Sequence, residues 1–169
     1  HKYFGFTNFY TSVSTACSSG IKAFSIAKEL LENGIAETVL VIGVDSLAKL
    51  PVYGFDSLEI LSGEPANPFS KNRCGINIGE GAAAFIVSKE GEGIEITGIG
   101  ETTDYYHSTT PDPEGIEAEK AIRLALGEMK PEDIDYINLH GTGTQANDLM
   151  EARAVYNIFG AKVPASSTK

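Results

Sequence analysis

The run Thr38-Val39-Leu40-Val41-Ile42-Gly43-Val44 leaves this chain few ways to fold. An unbroken apolar stretch of that length is too short to span a bilayer and reads as a strand buried on both faces of a parallel sheet. A second stretch of the same kind, Ala82 to Val87, follows Gly79-Glu80-Gly81. Elsewhere the apolar period lengthens. From Ser18 to Asn33, Ile21, Phe24, Ala27 or Lys28, and Leu31 recur at helical spacing, Ile26 and Leu30 widen the face, and Asn33-Gly34 supplies a stop, since glycine accepts the left-handed cap conformation. Glu114 to Met129 repeats the pattern with Ile116, Ala121, Ile122, Ala125 and Met129, and Pro131 helps to end it. Asn147 to Phe159 reads as a further helix, with Asn147 as N-cap and Gly160 as stop. Shorter strands are expected over Phe9–Ala16, Ile94–Gly100 and Ile134–Leu139, with another starting at Val163. Residues 46–62 have room for a short helix, Gly63 to Gly75 reads as loop, and Gly91 to Gly93 as a turn. Alternating strands and helices define an α/β class with a mixed, mostly buried sheet.

Composition removes several function classes. A formal charge of -10 argues against nucleic acid as a partner, because phosphates demand clustered Lys and Arg. No apolar run suggests a membrane span, and His1-Lys2-Tyr3-Phe4-Gly5 lacks the extended apolar region of a signal peptide, so cytoplasmic residence is the expectation. The two cysteines, Cys17 and Cys74, have no partner residues at zinc-ligand spacing, so no metal is expected. Cys74 carries no motif and reads as structural. Gly79-Glu80-Gly81 is not a phosphate loop, since it lacks both the lysine and the following helix.

Two motifs carry chemistry. In Thr15-Ala16-Cys17-Ser18-Ser19-Gly20 the cysteine falls at a helix start, where unpaired N–H groups and the macrodipole favour a thiolate. A thiolate attacks a thioester and then carries the acyl group, and the Cys17 N–H is placed to help stabilise an oxyanion. The competing reading is a buried structural cysteine. In His140-Gly141-Thr142-Gly143-Thr144 the histidine ends a strand. A neutral imidazole there can donate to an enolate or thioester oxygen or move a proton, while Thr142 and Thr144 can bond the amides of an extended ligand. The competing reading is a surface-loop histidine. Spacing alone does not bring Cys17 and His140 together. By itself Lys169 reads as a solvated lysine, and His107 as a loop residue.

Taken in order, these residues resemble the β-ketoacyl-acyl carrier protein synthases. Ser14 to Gly20 is similar to the nucleophile motif. Pro68-Phe69-Ser70-Lys71-Asn72-Arg73 with Gly79-Glu80-Gly81-Ala82-Ala83 is similar to the segment between the family's halves. His140 to Thr144, with Asp148 and Glu151-Ala152, is similar to the first histidine motif, and Ser166-Ser167-Thr168-Lys169 to the start of the lysine motif. The resemblance implies a thiolase-like fold of two βαβαβαββ halves, with residues 1–90 closing the first half and 91–169 opening the second. It implies a ping-pong reaction in which Cys17 takes an acyl chain from acyl carrier protein and the enolate of decarboxylated malonyl-carrier protein attacks the acyl-Cys17 thioester. His140 matches one of two histidines serving that second step, and Lys169 the lysine that orders the site. Thr142 and Thr144 match threonines that hold the phosphopantetheine arm; Thr109 and Thr110 line the same tunnel. No cofactor is implied beyond the phosphopantetheine of the carrier protein, and the intact enzyme is expected to be a homodimer.

The sequence departs from that pattern at Cys74-Gly75-Ile76, where relatives usually carry Asp-Gly-Phe, and in a short stretch between Cys17 and Gly79 that puts chain-length preference in doubt. The resemblance also implies proteins much longer than 169 residues, with a second histidine and a further oxyanion donor beyond Lys169. The expectation is therefore an internal piece of a synthase, inactive alone and with sheet edges that invite association. A thiolase is the nearest rival, less well matched by the His-Gly-Thr-Gly-Thr and Ser-Ser-Thr-Lys segments. A non-catalytic partner subunit is the other, and such partners typically lack the cysteine present here.

Overall fold

A computed structural model describes residue 3 and residues 5–169; His1, Lys2 and Phe4, on which the reading of the chain start partly rests, lie outside the described residues. The chain forms two compact units, His1–Asp45 with Glu80–Ile94, and Ser46–Gly79 with Glu95–Lys169.

In the first unit a 3-10 turn over Ala16–Ser18 leads directly into α1 (Ser19–Glu32). Ala27 and Leu31, one turn apart, are its buried residues, as helical periodicity requires. The stop falls where expected: the Asn33 side-chain amide donates to the Glu29 carbonyl at 2.8 Å, and Gly34 takes φ 68°. β1 (Thr38–Asp45) pairs with β2 (Gly81–Ser88), in register from Thr38↔Ser88 to Asp45↔Gly81. Phe24 of α1 meets Phe85 of β2 edge to face, with ring centroids 5.3 Å apart.

Two expectations need correction here. The β1–β2 pair is antiparallel rather than parallel, and of β1 only Val41 is buried. Continuous apolarity marks a strand but carries no information on the direction of its partner. Phe9–Ala16 is not a strand: the segment is largely exposed and has no ladder. Its Thr, Ser and Val content suits a pleated surface, yet a strand exists only where a neighbour accepts its hydrogen bonds.

In the second unit α2 (Lys49–Ser57) occupies part of the expected helical window. A parallel bridge joins Leu61 to Ile76, and β3 (Ile137–Leu139) pairs in parallel with β4 (Ala165–Ser167). The described strands therefore form two small two-stranded sheets, one antiparallel and one parallel. α3 (Ile116–Leu126) and α4 (Gln145–Phe159) pack where Gly115 approaches Met150 and Ala154, and the Asn157 amide donates to Glu119 at 3.1 Å. The α4 N-cap is Thr144, not Asn147. Ile76, Ala154 and Phe159 are this unit's buried apolar residues, and Asp148 is buried with them at 1% exposure.

The strand expected over Ile94–Gly100 has no ladder either. Residues 98–102 instead run against the backbone of α3. A β-carbon at Gly98 would come 2.0 Å from the Ala125 carbonyl oxygen, and one at Gly100 would come 1.9 Å from that of Ala121. Two residues on, the Thr102 hydroxyl donates to the Glu117 carbonyl at 2.8 Å. Each step of two residues along the segment thus matches four along the helix, consistent with about 6.6 Å of extended chain and about 6.0 Å of helix axis.

Candidate active site

Cys17 sits in the 3-10 turn that opens α1, and it is exposed. In these residues the thiol is exposed, whereas a structural cysteine would be buried. The turn is strained at Ala16, whose φ of 53° is left-handed for a residue with a β-carbon. Hydroxyls on either side hold it. Ser19 Oγ accepts from the Thr15 N–H at 2.9 Å and donates to the Ala16 carbonyl at 2.6 Å. Ser18 Oγ donates to the Thr15 carbonyl at 2.8 Å and lies 3.0 Å from Thr15 Oγ1. Every bond in this bracket spans three or four residues, so the shape that presents the thiol is encoded within Thr15–Ser19.

His140 is built differently. It leaves the carboxyl end of β3, and Lys169 lies just past the end of β4, the parallel neighbour in which Ser167 is paired with Leu139. Carboxyl ends of parallel strands are where α/β folds gather ligand-binding groups. The Glu151 carboxylate, one α4 turn and a half into the helix, accepts from both the His140 N–H, at 2.6 Å, and the Gly141 N–H, at 2.9 Å. Ser167 Oγ lies 3.3 Å from the His140 carbonyl oxygen and 3.4 Å from that of Gly141, and it accepts from the Lys169 N–H at 3.1 Å. Gly141 has φ 47°, and a β-carbon there would come 2.5 Å from Ser167 Cβ and 3.0 Å from the Phe69 ring.

Partial desolvation of the ring is the largest cause that holds the His140 imidazole below its ordinary value of 6.5, even though the residue as a whole keeps solvent contact. The nearby Lys169 ammonium pushes the same way, and the carboxylates of Glu151 and Asp148 only partly oppose it. At neutral pH the ring is therefore neutral, a hydrogen-bond donor and acceptor rather than a cation.

Behind the loop lies a buried pair. Asp148 Oδ2 accepts from the Phe69 N–H at 2.7 Å and lies 3.4 Å from Arg73 Nε, while Oδ1 accepts from the Gly143 N–H at 3.2 Å. Arg73 donates from its two terminal nitrogens to the Ser70 carbonyl and to Gln145 Oε1, each at 2.8 Å. Phe69 has a left-handed φ of 62°, fixed by its bond to Asp148. Gly143 and Gly75 pack backbone to backbone, with the Gly75 N–H donating to the Gly143 carbonyl at 3.0 Å. Residues 69–75 therefore form the floor under His140–Thr144.

Thr142 Oγ1 and Thr144 Oγ1 lie 2.8 Å apart, within hydrogen-bond distance of each other. Thr109 and Thr110 lie in an exposed loop, where Thr109 bonds to His107 Nδ1 through its N–H at 3.2 Å. His140, Lys169, Thr142 and Thr144 are thus gathered in the second unit, and Cys17 belongs to the first. Cys74, read as structural, is exposed, with its sulfur 3.0 Å from Ser62 Oγ. The residues whose part sequence reasoning left undefined are Arg73, Asp148, Glu151 and Ser167. Asp148 and Glu151 had a signal, being carboxylates in the opening turns of a helix beside a glycine loop rich in N–H donors. No local pattern marked Arg73 or Ser167 as their partners.

Among the described residues no helix is long and apolar enough to cross a membrane. Residues 2–92 match the family model described as "Beta-ketoacyl synthase, N-terminal domain", and residues 94–169 match "Beta-ketoacyl synthase, C-terminal domain". The chain is 36% identical to 3-oxoacyl-[acyl-carrier-protein] synthase 2 of Synechocystis over 92% of its own length and 42% of that protein. It superposes on a chain of the complex between the ketosynthase ApeO and its chain length factor ApeC from Xenorhabdus doucetiae, with a TM-score of 0.95 and 42% identity, covering 99% of this chain and 43% of that one. A type II polyketide ketosynthase, AntDE, solved with its acyl-carrier protein AntF, gives a TM-score of 0.87 at 29% identity, covering 99% of this chain and 46% of that one. These structures place the chain in the thiolase-like fold, and it spans about 42% of the length of the curated relatives it matches.

Proposed function

The chain belongs to the beta-ketoacyl synthase family, and from that premise we propose that it forms part of a condensing enzyme of fatty acid or polyketide synthesis, with Cys17 as the acyl-carrying nucleophile. The observation that carries this reading is the exposed Cys17 thiol on a strained, hydroxyl-bracketed turn at the head of α1.

In the first half-reaction Cys17 Sγ adds to the carbonyl of an acyl thioester and the carrier thiol leaves, which transfers the acyl group. In the second, a malonyl thioester loses carbon dioxide, and the enolate carbon attacks the acyl-Cys17 carbonyl. The C–S bond to Cys17 breaks, the thiolate is restored, and a β-ketoacyl thioester longer by two carbons is released. His140 suits the second half. A neutral ring can donate a hydrogen bond to the thioester oxygen as it gains enolate charge, and both desolvation and Lys169 favour that neutral form. Lys169 orders the site from the end of β4. The Thr142–Thr144 pair holds the phosphopantetheine arm, and Thr109 and Thr110 line its approach.

Acyl carrier protein is the proposed partner, as with the AntF complex of the relative above. No cofactor is required beyond the carrier's own phosphopantetheine. We further propose a homodimeric, cytoplasmic enzyme whose two halves divide at residues 1–90 and 91–169, with residues 1–169 alone unable to turn over.

The test is intact-protein mass spectrometry of the whole enzyme after exposure to an acyl-carrier thioester, followed by addition of malonyl-carrier protein. The expected result is one acyl adduct, lost on malonyl addition, with β-ketoacyl product formed. Cys17→Ala should abolish the adduct and lower turnover by about a thousand-fold or more. An enzyme that condenses without the malonyl donor is a thiolase, and one that takes no acyl group is a non-catalytic partner.

A further inference from the structure

The turn that carries His140 is gripped from two sides. Glu151 takes its N–H groups, and Ser167 meets its carbonyls. The first grip comes from α4. The second comes from β4, the strand that ends next to Lys169. We propose that Ser167 is a positioning residue of the condensing site, whose hydroxyl sets the spacing between the His140 imidazole and the Lys169 ammonium. This rests on the function proposed above.

The stereochemistry of a hydroxyl supports it. Ser167 Oγ has one proton and two lone pairs. A lone pair receives the Lys169 N–H at 3.1 Å, and the proton is shared between the His140 and Gly141 carbonyls at 3.3 and 3.4 Å. One atom therefore touches the backbone of both functional residues. The ladder alone does not do this, since β3 and β4 end at Leu139 and Ser167, short of His140 and Lys169. Close packing adds a steric stop. The missing β-carbon of Gly141 would lie 2.5 Å from Ser167 Cβ and 2.6 Å from its Oγ, so the turn rests directly on this side chain. Nothing larger than glycine fits at 141 while serine stands at 167.

The charged groups acting on His140 are Lys169 from β4's end and Glu151 and Asp148 from α4, with Arg73 paired to Asp148. Of these, only Lys169 is tied to the turn through Ser167. Loss of the hydroxyl should thus loosen Lys169 from the turn, while Glu151 keeps its own bonds to the His140 and Gly141 N–H groups. A receding cation favours the imidazolium, so the His140 titration should move up toward its ordinary value.

Ser167→Ala and Ser167→Thr in the full-length enzyme test this. His140 is followed by proton NMR of its ring, assigned against His140→Gln, alongside the rate of Cys17 acylation and the rate of condensation. Ser167→Ala is expected to raise the titration midpoint of His140, to slow condensation by about five- to ten-fold, the scale of one lost hydrogen bond, and to leave Cys17 acylation unchanged. Ser167→Thr, which keeps the hydroxyl, should restore both. An alanine variant whose His140 midpoint and condensation rate match wild type overturns the proposal. So does one that slows both half-reactions equally with the midpoint unmoved, which marks a general packing role. A wild-type enzyme that neither acylates Cys17 nor condenses refutes the proposed function instead, and the ring titration still decides whether Ser167 sets the spacing.

Discussion

The turn that presents Cys17 and the loop that presents His140 solve the same problem with opposite means. Around Cys17 every stabilising bond is local, from Ser18 and Ser19 back to Thr15 and Ala16. Around His140 the decisive bonds join residues far apart in sequence: Phe69 to Asp148, Arg73 to Gln145, and Ser167 to His140 and Gly141. The local turn tolerates exposure because its donors and acceptors satisfy one another at the surface. The distant loop needs a buried carboxylate, and that carboxylate in turn needs a buried guanidinium. An exposed thiol can be presented by a short peptide's own geometry, whereas a neutral histidine beside a lysine needs a folded unit around it.

The largest break in that contrast should come from Asp148→Ala. It leaves Arg73, whose side chain is 11% exposed, without its carboxylate, and frees the N–H groups of Phe69 and Gly143. A loss of about 3 kcal/mol in stability is expected, read from urea melts. Gly141→Ala comes next. Its β-carbon meets Ser167 and Phe69 at a left-handed φ, so the loop must shift, with an expected cost of about 2 kcal/mol in the same melts and condensation slowed more than acylation. Ser19→Ala should cost only about 1 kcal/mol, because water can replace an exposed hydroxyl's bonds. A Ser19 variant as damaging as Asp148→Ala would erase the distinction between the two regions.

The smallest effect is that of pH. The folded His140 binds its proton more weakly than the unfolded chain does. As pH falls below the ordinary value of 6.5 and through the folded value, the unfolded state takes up the proton first, and stability declines. His140→Gln should flatten that slope between pH 7.5 and 5.5, measured as the shift of the urea midpoint.

The same contrast governs what the sequence made legible. The helices α1, α3 and α4 follow from apolar spacing, because a helix closes its hydrogen bonds within itself. The helix start beside Cys17 and the stop at Asn33-Gly34 were legible for the same reason, although the 3-10 form of the turn over Ala16–Ser18 was not. Phe9–Ala16 and Ile94–Gly100 were misread as strands, since a strand is decided by a neighbour that its own residues do not encode. β1 and β2 were found but given the wrong partner geometry, because apolarity carries no information on strand direction. His140 and Lys169 stood out through their motifs. The Arg73–Asp148 pair did not, because a buried ion pair is a property of two surfaces that meet only after folding.

The segment of Gly98, Gly100 and Thr102 against α3 has a consequence for how such a chain can change over evolutionary time. Two residues of one element are geared to four of the other, through carbonyls that leave no room for a side chain. Insertion of a single residue between 98 and 102 would turn the alternate, larger side chains toward the helix backbone and jam the contact. Length variation here is confined to paired steps on the segment or to the exposed loop beyond Thr102, so that loop can drift in length while the helix beneath the segment stays in register.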